Sequence, residues 1–256
     1  MISIFQNIEV FTFFLARTTS FIFTLPVMGN QSVPVQSKVG FSMLVSLLLT
    51  SMYQHQVPGL VTDMLPFFLL IMKEAIVGLS LGFVTRFLFV GVQMAGELAG
   101  NQMGFGMSRV MDPSSAAQVS IISEFKTLVV TLFYLILNGH HMLMTGLAES
   151  YRLVPLGRVH YDTHIVRVVV SMAGGIFEAG VKIGAPIIIS LLLANILLGV
   201  LARTVPQMNV FIVGLPLRIG IGFLALAATL SLFYHIFVVM WEQFEKDFWQ
   251  FLKLLG

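Results

Sequence analysis

Six long apolar runs dominate the 256-residue sequence and limit the folds that it can adopt. A helix that crosses a bilayer needs about 20 mainly apolar residues. On that rule the candidate spans are Ile4–Leu25, Lys38–Tyr53, Met64–Val90, Val119–Leu137, Ile183–Ala202 and Phe211–Trp241, with Ile165–Lys182 as a candidate seventh. Hydrophobic residues make up 57% of the chain and charged residues 10%, whereas a soluble domain carries about 25% charged residues. The sequence therefore predicts an integral membrane protein.

Prolines interrupt or flank these runs, and each one removes a backbone donor and favours a break or a kink. They stand at Pro26, Pro34, Pro58, Pro66, Pro155, Pro186, Pro206 and Pro216. We therefore predict an all-α integral membrane protein with about six to seven kinked hydrophobic helices arranged as broken hairpins. We expect a single membrane-embedded domain over residues 1–256. The second run is short for a full span, which indicates tilt or shielding by partner subunits.

Residues 93–118 form the one polar break between two long apolar stretches, rich in Gly, Met, Ser and amides. Inside a membrane protein, such a composition is typical of irregular backbone that lines a cavity or closes a path. Met103, Met107 and Met111 recur four residues apart, and soft thioether side chains can conform to an irregular opening. Spacing alone favours methionines that fill gaps on a helix face. The segment is predicted to be a loop on which the function depends.

Several ionisable residues lie within or beside the apolar runs, where lipid would penalise them. A charge at the bilayer centre costs at least about 2.5 to 3.5 kcal/mol. The candidates for buried or assembly-related charges are Arg17, Lys73, Glu74, Glu97, Glu124, Lys126, Arg203 and Arg218. We expect them to face protein or water, with snorkelling near helix ends as the explanation for about half of them. For Glu124 the default expectation is a structural pairing with Lys126 or another neighbour.

Small residues recur four apart on the same runs, the spacing that lets two helix backbones approach closely. The pairs are Gly78 with Gly82 and Gly96 with Gly100. They predict close approach of helix backbones at both places, with the general abundance of glycine in membrane helices as the alternative.

The sequence offers no competent catalytic or metal-binding set. Ser80 lies in a Gly-Leu-Ser-Leu-Gly match to the hydrolase elbow, but inside an apolar helical run with no preceding strand. His140 and His141 are adjacent and point to different helix faces, and the pair His160 and His164 lacks the arrangement of a zinc motif. The chain has no cysteine and no basic stripe for nucleic acid. We expect no enzyme, no cofactor and no metal.

The C-terminal stretch 241–255 places Trp241, Phe244, Phe248 and Leu255 at helical spacing, with charges elsewhere. It is predicted to be an amphipathic helix. An interfacial membrane anchor and a docking surface for a partner subunit are equally good interpretations.

Ordered landmarks along nearly the whole chain resemble one family. They are Arg17, Pro26, Lys38, Lys73-Glu74, Gly78, Gly82, Ala95-Gly96, Gln102-Met103-Gly104, Asp112-Pro113, Asn138-Gly139-His140, Ser150, Pro155, the stretch from Arg203 to Phe211, and Gly214-Leu215-Pro216-Leu217-Arg218. Together they are similar to the FliR/SctT family, the flagellar and type III secretion export-gate proteins, and most closely to its flagellar FliR branch. Arg218 stands where the family pattern leads us to expect Lys, which keeps the charge.

The resemblance implies a structural component of the flagellar type III protein export gate in the bacterial inner membrane, within the basal body. It implies a channel formed with FliP and FliQ, with FlhB and FlhA adjoining, that passes unfolded export substrates. The family's central segment plugs the closed gate, and it maps here onto Gln102, Met103, Gly104, Phe105, Gly106, Met107, Met111, Asp112 and Pro113. Met103, Phe105, Met107 and Met111 would then be its soft contact surface, and Gly104 and Gly106 its flexible joints. The alternative is a small-molecule secondary transporter with broken helices around a midplane site.

Overall fold

A computed structural model describes residues 2–53, 63–106, 120–159, 163–205, 207 and 209–256. Every regular element in these ranges is an α-helix, which confirms the all-α class. The eight helices are α1 (Ile2–Thr24), α2 (Val35–Tyr53), α3 (Met64–Met103), α4 (Ile121–Ile136), α5 (Gly139–Leu153), α6 (Thr163–Thr204), α7 (Val210–Ala228) and α8 (Leu230–Leu255). Within the described residues α2, α3 and α6 are each long and apolar enough to cross a membrane, and the bent pairs α4–α5 and α7–α8 pass the same criteria together. The sequence predicted six or seven spans, whereas three to five candidate spans meet these criteria among the described residues.

The predicted span Ile4–Leu25 overlaps α1, which is not among the candidate spans, and two other predicted spans have different boundaries in the structure. The predicted spans Ile165–Lys182 and Ile183–Ala202 are one 42-residue helix, α6, because Pro186 lies inside the helix without ending it. The predicted span Phe211–Trp241 is divided between α7 and α8. At 1.5 Å per residue α3 and α6 are each about 60 Å long, twice the thickness of a hydrocarbon core. A rule that counts apolar residues cannot show that two runs form one helix or that one run is bent into two helices.

The polar break is the main correction to the predicted fold. Its first eleven residues, 93–103, are the last three turns of α3, so the prediction of a loop is wrong there. The composition misled because Gln, Met, Ala, Glu and Leu are good helix formers, and the interposed glycines stand at helix-packing spacing. Residues 104–106 form a turn, and residues 107–118 lie outside the described ranges.

The chain divides into two compact units, each built from separated segments. The first unit comprises Met1–Phe87, Leu135–Ala173 and Gln243–Gly256. Its core packs α1, the first half of α3, α5 and the end of α8. The buried apolar residues of this core include Phe14, Phe21, Leu81, Leu147, Tyr151, Phe248 and Leu252.

The C-terminal helix belongs to this core, which corrects both interpretations of its apolar face. Phe248 and Leu252 are fully buried within the chain, and a Cβ on Gly146 of α5 would lie 2.5 Å from the Phe248 ring. The missing side chain at Gly146 is what lets α8 approach α5. The apolar stripe of α8 therefore packs on the chain itself, and it is available neither as a membrane anchor nor as a partner surface.

Helix α2 has polar side chains on its inner face and apolar side chains on its outer face, the reverse of a helix in a soluble protein. Ser42 and Ser46 face inward, where each hydroxyl donates to the carbonyl four residues earlier at 2.7 and 2.6 Å. Apolar side chains such as Leu44 and Leu48 are almost two-thirds exposed. Because lipid tails are as apolar as leucine, small polar residues that allow close approach favour helix contact in a membrane. The outer face of α2 is thus suited to lipid or to another membrane helix.

The second unit comprises Leu88–Tyr134 and Gly174–Glu242. Its core is a cluster of Ala99, Met103, Ile122, Ile187 and Leu191, against which Phe105, Ile221, Ala225 and Leu226 pack. The cluster brings together the end of α3, the start of α4, α6 and α7. Two residues of the segment to which the sequence assigned the function take part in it, Met103 as a member and Phe105 packed against it.

Candidate functional site

Helix α3 ends in a defined cap at Gly104. The Gly104 N–H donates to Asn101 O and the Phe105 N–H donates to Gly100 O, both at 3.1 Å, the pair of bonds that defines a Schellman motif. Gly104 has a φ of 98°, a left-handed conformation in which side chains are strained. Gly104, which was predicted to be a flexible joint, thus lies in a turn that two backbone hydrogen bonds hold in place. It sets the direction in which the chain leaves α3.

The side chains that flank this cap pack downward into the second unit. Met103 is fully buried in the core cluster, and a Cβ on Gly222 of α7 would lie 2.6 to 2.7 Å from three of its side-chain atoms. Phe105 is half-buried, and its ring lies 6.5 Å from the Phe223 ring in an edge-to-face arrangement. The prediction of Met103 as an outer contact surface is therefore not met within this chain. Its thioether supports the turn from below.

The remaining residues of the predicted plug are only partly described. Gln102 is exposed and Gly106 is half-buried. Met107, Met111, Asp112 and Pro113 lie outside the described residues. The described part of the candidate gate is therefore the helix cap from Gln102 to Gly106.

The four glycines singled out for packing all lie at close approaches. A Cβ on Gly78 would collide with a carbonyl of α1, and one on Gly82 would lie 2.6 Å from the Thr24 Cβ. Farther along α3, a Cβ on Gly96 would collide with the Ser123 backbone at the start of α4, and one on Gly100 with a serine hydroxyl just before it. The glycine spacing thus marks one contact in each unit. The second contact holds α4 against the last turns of α3, next to the cap.

A buried ion pair connects three parts of the first unit. Arg17 Nη2 lies 2.6 Å from Glu74 Oε2, and both side chains are fully enclosed. The guanidinium also donates to Ser150 O at 2.9 Å and to Val154 O at 3.0 Å, while the Gly157 N–H donates to Glu74 Oε1 at 2.9 Å. The two charges thereby fix α1, α3 and the end of α5. Each charge has the additional partners that a buried pair requires.

Lys126 is buried in the second unit without a carboxylate partner in the described residues. Its ammonium donates to Ile183 O at 3.4 Å and lies 5.5 Å from the centre of the Phe233 ring. Glu124, two residues away, is exposed, so the expected pair with Lys126 does not form. Ile183 O lies in the turn that precedes Pro186, where the proline ring removes a helical donor. The carbonyl that loses its helical donor at Pro186 is that of Lys182, so Lys126 bonds the neighbouring carbonyl rather than the freed one.

The other predicted buried charges lie nearer the surface. Glu97 and Arg218 are half-buried, whereas Lys73 and Arg203 are exposed, as Glu124 is. Lys73, Arg203 and Glu124 are thus exposed on the chain itself, and the expectation that they face protein or water stays a prediction. Residue type and position within a run do not reveal which face of a helix a charge occupies.

Sequence reasoning passed over one polar side chain in this region. Asn195 lies in the apolar second half of α6, and its Oδ1 is buried with no hydrogen-bond partner among the described residues. The Nε of Arg218 on α7 is likewise buried and has no hydrogen-bond partner among the described residues. An amide inside an otherwise apolar run is unusual, and this feature of the sequence could have identified Asn195.

The catalytic alternatives find little structural support. The Ser80 hydroxyl donates to Val77 O at 2.8 Å within α3, in a helical setting unlike a nucleophile elbow. Among the described residues no three His, Asp or Glu side chains form a group suited to a metal ion. His140 and His141 stack edge to face at 4.7 Å, and His160 lies outside the described residues.

The fold and this site define a class of protein: an all-α integral membrane protein in which a 40-residue helix ends in a fixed glycine cap above a packed core. The family model of the bacterial export proteins, family 1, matches residues 8–244. The flagellar biosynthetic protein FliR of Bacillus subtilis is 34% identical over 248 residues, covering 96% of this chain and 94% of that protein. FliR of Aquifex aeolicus is 33% identical, with 93% and 91% covered, and FliR of Escherichia coli is 29% identical, with 85% and 83% covered.

The chain therefore belongs to the FliR family of bacterial export proteins, as the ordered landmarks indicated. This membership places it among membrane-embedded export proteins rather than among enzymes.

Proposed function

We propose that the chain is a structural component of the flagellar type III export gate in the bacterial inner membrane. With FliP and FliQ it forms the channel for unfolded flagellar substrates, and FlhB and FlhA adjoin this channel. The observation that carries the proposal is the similarity to flagellar FliR proteins along almost the whole chain. A relative that matched one helical hairpin would support only a membrane location.

The outer surface supports a protein that works inside an assembly. Along the second half of α6 a row of side chains from Ile189 to Val200 is more than half exposed and entirely apolar. Large contiguous apolar patches are typical of surfaces that contact lipid or other proteins.

The proposed role of the segment after Gly106 is to close the channel at rest. The cap at Gly104 supports this role because it gives the segment a fixed base, and Met103 anchors the base in the core. A closing element needs a defined position relative to the channel wall. The cap supplies that position on the chain's own side.

Deletion of residues 107–111 tests the closing role while it preserves the cap. The gate should still assemble, and resting cells should become permeable to a small dye that wild-type cells exclude. The matched control is the same deletion expressed without FliP and FliQ, in which no channel exists and no leak should appear. Unchanged permeability in cells that contain assembled gates would disprove the closing role.

Copurification separates the gate component from the transporter alternative. A component of the gate should be recovered with FliP and FliQ after mild solubilisation and should be identifiable by mass analysis. A secondary transporter should be recovered without them and should bind a solute. Recovery of the chain alone from cells that produce all three proteins would contradict the gate proposal.

A further inference from the structure

The first unit contains an apolar cavity of about 170 Å³. Helices α3, α6 and α8 and the segment after α5 form its wall. Ser80 is the one polar side chain among the described residues that line it, and its hydroxyl already donates to Val77 O at 2.8 Å. The cavity therefore offers packing contacts rather than hydrogen bonds. Its apolar lining residues include Ile76, Phe83, Val159, Val169 and Phe251.

The cavity follows α3 and opens to the outer surface of the chain. Its lining residues on α3 extend from Ile76 to Val84, about 12 Å along the helix axis at 1.5 Å per residue. Ile76 is 44% exposed and Phe83 is 53% exposed, whereas Val77 and Val84 are buried. A slender apolar chain can therefore enter from the side and lie along the helix.

One end of the cavity lies where several helices end. Helix α5 ends at Leu153, α8 ends at Leu255, which lines the cavity, and α6 begins at Thr163. The segment after α5 is bonded to α3 here, because the Gly157 N–H donates to Glu74 Oε1 at 2.9 Å. Irregular backbone does not lie exposed to lipid within the hydrocarbon region. The helix ends therefore indicate that this end of the cavity is at a membrane surface.

Two exposed cations flank this end of the cavity. Lys73 lies three residues before Ile76, on the same side of α3, and Arg158 lies in the segment after α5. They are the sequence neighbours of Glu74 and Gly157, which the hydrogen bond joins. Neither cation forms an ion pair within the described part of the chain, and the Glu74 carboxylate is already committed to its buried pair. Positive charge is therefore left without an anion beside an apolar cavity.

We propose that the cavity binds one acyl chain of an anionic phospholipid whose phosphate lies between Lys73 and Arg158. An apolar cavity of this size accepts apolar guests, and lysine and arginine are the side chains that bind phosphate. An apolar side chain of a partner protein would fill the cavity but would leave both cations without an anion. The inference goes beyond the export role and requires only that the chain lies in a membrane.

Native mass spectrometry of the purified full-length chain in mild detergent tests the headgroup contact. Wild type should retain one phosphatidylglycerol with an affinity at least about tenfold higher than for phosphatidylcholine, because nearby cations strengthen the binding of an anionic lipid. The double variant K73Q/R158Q should bind the two lipids alike. K253Q is the matched control, because Lys253 is exposed on α8 and lies two residues from both Phe251 and Leu255, hence on the opposite face. It should keep the wild-type preference.

Filling the cavity tests the acyl contact. Val169 lines the cavity and is half-buried, whereas Val170 is 64% exposed on another face of α6. Val169→Trp should weaken the retention of phosphatidylglycerol at least about tenfold, because each methylene that loses its apolar site weakens binding. Val170→Trp should not weaken it, and both variants should keep the wild-type circular dichroism. An excess of glycerol phosphate, which has no acyl chain, should not displace the lipid.

Several results would overturn the proposal. An unchanged lipid preference in K73Q/R158Q would exclude the headgroup site, and full retention in a folded Val169→Trp variant would exclude the acyl site. Displacement by glycerol phosphate would show a site for phosphate alone. Loss of the lipid from the chain when it is recovered with FliP and FliQ would assign the cavity to a partner side chain. The measurements on the isolated chain need neither protein, so failure of the proposed function would leave their outcome unchanged.

Discussion

The ion pair between Arg17 and Glu74 should dominate the stability of the first unit. Glu74→Leu removes the carboxylate and leaves the guanidinium buried beside two carbonyl acceptors, and it deprives the Gly157 N–H of its acceptor. Removal of one partner of a buried pair costs about 3 to 5 kcal/mol. A loss of about 4 kcal/mol corresponds to a rise of roughly a thousandfold in the unfolding constant.

The companion variants separate the charge from the packing. Arg17→Met should be similarly costly, whereas the double variant should lose at least about 2 kcal/mol less than the sum of the two single losses, because no unpaired charge then remains. Glu149→Ala is the matched control. It breaks the pair with Arg152, whose side chain is 65% exposed, and we expect a loss below about 1 kcal/mol.

The assay is reversible unfolding of the purified chain in detergent micelles, followed by far-ultraviolet circular dichroism and by the fluorescence of the two tryptophans. Both tryptophans lie on α8, Trp241 in the second unit and Trp249 in the first, so single Trp→Phe variants assign each signal. The reasoning is refuted if Glu74→Leu costs no more than Glu149→Ala. It is also refuted if the two single losses simply add in the double variant.

Three further substitutions test the packing on which the site rests, each measured by the same unfolding assay. Gly78→Ala should cost about 1 to 3 kcal/mol because its Cβ collides with a carbonyl of α1, whereas Gly174→Ala, which meets no atom within 4 Å, should be neutral or stabilising by about 0.5 to 1 kcal/mol. Phe248→Ala should cost about 3 to 5 kcal/mol and expose the end of α8 to protease, since the ring is fully buried; a resistant C-terminus would contradict its docking on α5. Lys126→Met should leave stability unchanged or raise it, because one hydrogen bond of 3.4 Å to Ile183 O compensates poorly for a buried ammonium, and a loss above about 2 kcal/mol would show that this bond is essential.

The parts of the fold that depend on composition and local spacing could be predicted from the sequence. Apolar runs predicted the membrane class, and the four-residue spacing located Gly78 and Gly96 at helix contacts. The partner of Arg17 could not be predicted, because Glu74 is 57 residues away and only tertiary packing decides which of several charges becomes buried. The same reason explains Lys73, which is adjacent to Glu74 in sequence but exposed on the other side of the helix.

The segment that the sequence singles out was given the wrong local structure in its first eleven residues. Polar composition predicted a loop from Gln93 onward, whereas the helix continues until a glycine with positive φ can end it at Gly104. Met103 illustrates the limit, because methionine suits both a pore surface and a core gap. Only the presence of Gly222 opposite it, from a helix more than 100 residues later, decides for the core.

The contacts beneath the cap show which part of it is held most firmly. The last turns of α3 are held by Gly100 against the residue before α4 and by Met103 within the core cluster. Withdrawal of Met103 alone would expose a fully buried side chain, at a cost of about 1.5 to 3 kcal/mol. Gly106, by contrast, is half-buried, and the atoms nearest its Cβ position belong to Asn101. Among the described residues, Met103 therefore holds the end of α3 more firmly than the turn at Gly106 is held.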